Sequence, residues 1–355
     1  MLKNITHDDR VYISPEGLRA DPNSMLKLGS SILGFDLFKI FIRKNKKTFT
    51  FNLTLDELIN WAKKNNRTQE IEEKIHLISV KRKSLHELSF ESPSLMGVLN
   101  VTPDSFSDGG KYFSEKDAVK HGEFLIGEGV SILDIGGQST RPGSEPVTYV
   151  EEKNRIIKVV ESLAKKSLVS VDTNKSKIMN DVIQVGAKII NDISSLTNDK
   201  DSIDRICSTS CGVILMHSQG TPKDMQNNPN YDDVILDIFD YLESRIKICA
   251  KYGIDRTRLI VDPGIGFGKN DKHLKRIMKN ISLFHSLGCP LLVGSSRKSF
   301  IGRWGKMEKE NDRLGGSISS ALWCLSQGVQ VLRVHDVKET LQALNVWMRI
   351  AEIES

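Results

Sequence analysis

Carboxylates, amides and cations recur in this chain just where short apolar runs end: Asn100, Asp134, Asp172, Asn191 and Asp262, then Lys298, then Arg333 and His335 on the last run. A buried carboxylate can accept two parallel hydrogen bonds, one from an amino group and one from the adjacent ring N–H of a flat heterocycle. An amide can read a ring nitrogen and an exocyclic oxygen together. A lysine donates to the opposite edge. Asp172, Asn191, Asp262 and Lys298 therefore suit a pterin or guanine-like ring, or else form a structural salt-bridge network. Two polar loops, 104–110 and 136–143, are too long and too rich in Gly, Ser, Thr and Arg for tight turns. Such loops suit an anion that is covered and then released, although ordinary surface loops are the plainer alternative.

The run 262–269 (DPGIGFGK) has the glycine spacing of neither a Walker loop nor a dinucleotide fingerprint. Its glycines are expected to let backbone approach a ligand closely. No HExxH, EF-hand loop or histidine cluster occurs, so zinc and structural calcium are not expected. Mg²⁺ needs only one or two protein oxygens beside phosphate and water, which Asn100 can supply. No Ser-His-Asp or Cys-His arrangement supports covalent catalysis.

The elements that position these groups show a regular beat. Runs at 95–101, 130–135, 167–172, 187–193, 212–217, 258–262, 290–295 and 330–335 are continuous and apolar, as strands buried on both faces are. Amphipathic stretches such as 147–166, 231–252 and 337–352 lie between them. The alternation predicts an α/β fold, a (β/α)8 TIM barrel, in preference to a doubly wound open sheet. Active sites of such barrels sit at the C-terminal rim. Any single Asp or Asn there could merely cap a helix, but caps do not account for Arg333 with His335 or Arg297 with Lys298.

Residues 1–90 read as a small α/β appendage and linker, and 91–355 as the barrel. Within the appendage, 37–42 and 48–53 predict a hairpin, a short helix starts at Leu55, and 65–90 is polar linker. The chain has 355 residues, 39% hydrophobic and 27% charged, which excludes a disordered tail or a disulfide-stapled scaffold. Basic clusters at Arg43, Lys44, Lys46, Lys47 and Lys81–Lys83 are expected to be solvated surface and no nucleic-acid footprint. Five scattered cysteines are expected to be buried free thiols. With no apolar run of membrane-spanning length and no leader-like N-terminus, no membrane association and a cytoplasmic location are expected.

The rim motifs together resemble those of the dihydropteroate synthase family. The likeness runs from LNVTPDSFSDGG (99–110) and DIGGQSTRPG (134–143) through SVDT (170–173), NDI (191–193), DPGIGFGK (262–269) and SRKS (296–299) to RVHD (333–336). It implies condensation of 7,8-dihydropterin-6-ylmethyl diphosphate with 4-aminobenzoate. It implies a pterin bound by Asp134, Asp172, Asn191, Met216, Asp262 and Lys298. Diphosphate would meet Asn100 with Mg²⁺, Arg141, Arg333 and His335, and aminobenzoate would meet Thr140, Pro142, Phe267 and Ser299. Asn100, Lys298, Arg333 and His335 are the implied catalytic groups, and loss of Arg333 is expected to lower turnover far more than pterin affinity. A homodimer is implied by the same kinship. Gln138, Ser218 and the long N-terminal segment depart from the family pattern. The rival readings are a catalytically silent pterin-binding paralogue and a barrel transferring a methyl group from a reduced folate to a corrinoid.

Overall fold

The computed structural model describes residues 5–6, 8–102, 115–139, 143–221, 223–307 and 309–351. At the N-terminus β1 (Arg10–Glu16) precedes a two-residue ladder of β2 (Leu26–Lys27) and β3 (Gly34–Phe35). Then come β4 (Leu37–Lys44) and β5 (Lys47–Thr54), the expected hairpin. Asn45 and Lys46 both take positive φ, the signature of the type I′ turn that matches strand twist. Order β1-β4-β5 makes an antiparallel sheet. Helix α1 (Leu55–Lys64) starts at a Thr54/Glu57 capping box, and α2 (Thr68–Ser79) buries Ile71 and Ile78. One expectation changes here, and one strand is new. The stretch 10–16 is a strand, and 65–90 is no linker, because the four apolar residues near Ile71 suffice for a one-sided helix.

The barrel strands are β6 (Ser94–Asn100), β7 (Ile132–Gly136), β8 (Leu168–Asp172), β9 (Ile189–Asp192), β10 (Gly212–Met216), β11 (Leu259–Asp262), β12 (Leu292–Val293) and β13 (Val331–Val334). Their order is β11-β10-β9-β8-β7-β6-β13-β12, all pairs parallel. A bridge between Val261 and Leu291, with Val261 N–H donating to Pro290 O at 2.9 Å, joins the two ends into a ring. Outside the ring lie α3 (Glu115–Gly127), α4 (Tyr149–Leu163), α5 (Ser176–Gln184), α6 (Ser202–Cys207), α7 (Val234–Lys251), α8 (Asp271–Lys279), α9 (Ser299–Gly305), α10 (Leu314–Ser326) and α11 (Val337–Ala351). The fold is the (β/α)8 barrel expected, with a further α/β unit before it.

Side chains alternate along a strand, so every second residue faces the interior. Met96, Ile132, Ile189, Ile214, Ile260, Leu292 and Val331, with half-buried Leu168, meet in the lower interior around Leu85, Leu88 and Phe90. Leu85 and Leu88 exchange backbone hydrogen bonds of 2.9 and 3.0 Å, folding the segment after α2 into a plug at the barrel's N-terminal end. Gly212 admits it: a Cβ there would lie 2.6 Å from a Leu85 methyl. Two residues beyond the apolar layer stand Val98, Asp134, Ser170, Asn191, Met216, Asp262, Gly294 and Arg333. Two further on stand Asn100, Gly136, Asp172, Ser296 and His335. The strand period thus delivers the site.

The N-terminal sheet docks on α7. Tyr12 packs edge-on against Phe239 at 5.4 Å, and Arg43 pairs with Asp237 (2.6 Å) and Asp240 (3.1 Å). Lys44 reaches Asp9 and Lys46 reaches Asp232. Within the basic cluster on this hairpin Arg43 is therefore a docking residue against α7, while Lys46 and Lys47 stay exposed, as solvated surface is. Four cysteines are buried, but Cys207 is exposed, because it falls at the outer end of the short α6.

Candidate active site

Ten of the residues singled out in the sequence line a single cavity of about 1140 Å³ at the strand C-termini: Asn100, Asp172, Asn191, Met216, Asp262, Phe267, Lys298, Ser299, Arg333 and His335. Asp262 and Arg333 open onto the same side of the molecule. Thr140, Arg141, Pro142 and loop 104–110 lie outside the described residues.

Arg333 organises the floor. Its Nε donates to Asp134 Oδ2 at 2.6 Å and its Nη2 to Asp172 Oδ2 at 3.1 Å, while Asn191 Nδ2 donates to Asp134 Oδ2 at 3.1 Å. Asp134, expected in the pocket itself, lies one step beneath it: fully buried, covered by the guanidinium, and absent from the cavity lining. Its Oδ1 has no hydrogen-bond partner among the described residues. Arg333, expected at the diphosphate, thus also pairs with both carboxylates of the cavity floor. Burial pushes the Asp172 carboxyl up to about 7 against the opposing pull of Arg333, with Asp134 adding to the rise. Burial likewise pushes Asp262 up to about 6, opposed by a 2.7 Å bond from Gly264 N–H and by Lys298, Lys269 and Arg333.

Beside Asp262, the 262–269 run is held by its neighbours. Gly264 takes φ +69°, and a Cβ there would fall 2.0 Å from His217 O; Gly268 is as tightly set against Gln219 O. These two glycines serve backbone packing against the next loop, contrary to the expected approach to a ligand. Gly266 alone faces the pocket cation, with Lys298 Cδ at 3.5 Å. Lys298 Nζ sits 4.2 Å from the Phe267 ring centroid, a cation–π contact that fixes both walls. Met216 closes the same side with Ile193, Met225 and Phe267.

Three features escaped the sequence reading. Lys269 is buried, with Nζ donating to Phe267 O (2.9 Å), His217 O (3.2 Å) and His217 Nδ1 (3.1 Å). Burial brings its ammonium down to about 7 and holds His217 well below the usual imidazole range, so His217 is neutral and its Nδ1 accepts. A buried lysine closing a Gly-rich run was the signal. Gln138, noted only as a departure, accepts from Lys175 Nζ at 2.5 Å; Lys175 also pairs with Glu152, which accepts from Thr173 Oγ1 at 2.7 Å, so the second loop is pinned at its base. Arg297 is structural: it grips Asp336 through two nitrogens. Next to it, Ser296 Oγ sits 3.2 Å from both the backbone nitrogen and Nδ1 of His335.

Similarity to known proteins agrees with this geometry. The family described as "Pterin binding enzyme" matches residues 96–335, from the first barrel strand to the last, leaving β1–β5, α1 and α2 outside the match. The dihydropteroate synthase of Escherichia coli (strain K12) is 46% identical over 261 residues, 73% of this chain and 92% of that protein. The solved dihydropteroate synthase of Xanthomonas albilineans with 4-aminobenzoic acid superposes with a TM-score of 0.71 at 39% identity, covering 75% of this chain and 96% of that one. The same enzyme in complex with 7,8-dihydropteroate gives 0.68 at 37%, covering 75% and 97%. The chain belongs to the family of pterin-binding enzymes.

Proposed function

We infer that the barrel is a transferase of folate biosynthesis that condenses 7,8-dihydropterin-6-ylmethyl diphosphate with 4-aminobenzoate, giving 7,8-dihydropteroate and diphosphate. The observation carrying this is the convergence of Asp172, Asn191, Asp262, Lys298 and Arg333 on one cavity, together with kinship to enzymes solved with 4-aminobenzoic acid and with 7,8-dihydropteroate.

In this reading the flat pterin lies on the floor against Met216. Asp262 and Asp172 accept from its amino and ring N–H groups, Asn191 reads the adjoining edge, and Lys298 donates to the opposite one. Asp134 acts beneath them by fixing Arg333 and Asn191. Phe267 and Ser299, with Thr140 and Pro142, hold the aminobenzoate. The chemistry joins the amine nitrogen to the pterin methylene as the C–O bond to diphosphate breaks and the amine proton leaves. An aromatic amine is uncharged at neutral pH but a weak nucleophile, so departure of diphosphate is the hard step. Arg333 and His335, with Arg141, meet the charge that develops there, and the electron-rich dihydropterin spreads the cation left on its methylene. No strong general base is required.

Among the described residues no cluster of three His, Cys, Asp or Glu side chains could cage a metal. Asn100, at the end of β6 on the cavity wall, instead fits a Mg²⁺ ion that arrives with the diphosphate and takes one protein oxygen. Bound there, the ion would neutralise leaving-group charge. No described helix is long and apolar enough to cross a membrane; a cytoplasmic homodimer is the reading we propose from the family's habit. Diphosphate release by the full chain, measured with and without 4-aminobenzoate and Mg²⁺, tests the activity: it should require both. Release that ignores 4-aminobenzoate, or none at all, contradicts it.

A further inference from the structure

We propose that the N-terminal sheet is a clamp that positions the Phe267 wall of the pocket, acting through the two helices that flank it. The β4–β5 hairpin reaches the barrel at two buried polar points. Thr48 Oγ1 donates to Asp233 Oδ2 at 2.7 Å, and Lys39 Nζ donates to Asn280 Oδ1 at 2.9 Å. Asp233 and Asn280 are 9% and 7% exposed, so the acceptor end of each bond is shielded while the donors Thr48 and Lys39 are half-buried.

Both points lead to the 262–269 run. Asp233 is the residue before α7 and also accepts from Arg276 of α8, Nε at 2.8 Å and Nη2 on its other oxygen. Two residues upstream of it, Tyr231 OH donates to Gly268 O at 2.8 Å, and Gln226 Nε2 donates to Gly266 O at 2.5 Å. Asn280 caps the far end of α8, and its Nδ2 donates to Arg276 O. The near end of α8 is capped by Asn270 through a box with His273, and Lys269 and Phe267 lie one and three residues before that cap in the chain. The hairpin therefore holds α8 at its far end and through Arg276, and through Asp233 it anchors the stretch whose Tyr231 and Gln226 hold the turn that carries Gly266 and Gly268. Phe267, between those glycines, faces Lys298.

The family match begins only at residue 96, so this clamp is an addition outside it. Its effect on catalysis rests on the reading of Phe267 as part of the aminobenzoate wall. The expected signature is graded: aminobenzoate KM should respond most, and pterin KM, set mainly by the barrel floor and touched only through Lys298 on Phe267, should respond less.

The experiment uses the full chain with Thr48→Val and Lys39→Met combined, changes that keep the buried shapes and remove both donors. Arg10→Gln, which removes docking pairs with Asp240 and Glu243 away from α8, is the reference. In the double variant, amide hydrogen exchange across 264–270 should quicken and the KM for 4-aminobenzoate should rise about fivefold, the effect of roughly one lost hydrogen bond. The pterin KM should rise by less than half as much, and Arg10→Gln should move neither readout. Unchanged exchange in the double variant, quickened exchange without a change in aminobenzoate KM, or an equal rise in both KM values overturns the proposal. The exchange arm does not depend on activity, so a chain that made no pteroate would count against the functional reading alone.

Discussion

At the closed end of the barrel, Met96, Ile132, Ile189, Ile214, Ile260, Leu292 and Val331 pack on Phe90 and its neighbours. Two residues along the same strands the open end presents Asp134, Asn191, Asp262 and Arg333. Backbone and alternation are shared, and only residue type differs. The apolar layer buries surface and stabilises the ring. The polar layer opposes stability, since burial holds Asp172 up at about 7 and Asp262 at about 6 against an unfolded value of 3.8. The folded state therefore binds those protons more tightly than the unfolded chain, and stability declines as pH rises from about 4 through about 7. A fold retains such a layer when a ligand with matching donors completes it.

The comparison breaks if one end does the other's work. Phe90→Ala should lower unfolding stability by about 3–5 kcal/mol, the range for truncating a buried aromatic residue, while leaving both KM values as they were; denaturant titration and steady-state kinetics check the pair. Arg333→Ala should act chiefly on the chemistry, cutting kcat about 10²- to 10³-fold, as loss of a charge-stabilising donor does, and should also lower the thermal midpoint, because two buried carboxylates lose their cation. It should also weaken pterin binding. The sequence suggested a loss of turnover far larger than that of pterin affinity; the structure adds that removing Arg333 leaves Asp134 and Asp172 buried without their cation and drives Asp172 still further up.

Much of this was legible in the sequence because it is periodic. Eight apolar runs gave the eight strands to within a few residues, and their polar ends gave the cavity wall. Depth was not legible: nothing in DIGG or RVHD says that Arg333 covers Asp134, since that depends on how the guanidinium crosses the barrel. Lys269 was overlooked because its three acceptors are backbone and ring atoms from two loops far apart in the chain. The plug was missed for a related reason. Leu85, Leu88 and Phe90 are too few to show a period, and only the barrel's lower end, which they close, makes them core. Arg43 read as surface because its partners on α7, Asp237 and Asp240, lie nearly two hundred residues away.

The central claim is that Asp262 accepts a pterin's N–H groups as an ionised carboxylate. The direct measurement is calorimetric titration of a reduced pterin into the full chain and into Asp262→Asn, from about pH 5 to about pH 8, a span that brackets the raised carboxyls. The account expects wild-type affinity to climb with pH through about 6 to 7 as Asp262 and Asp172 ionise. It expects the variant to bind about 10- to 100-fold more weakly at the upper end, the loss of hydrogen bonds to a charged acceptor. Equal affinity in the two proteins at every pH would contradict it.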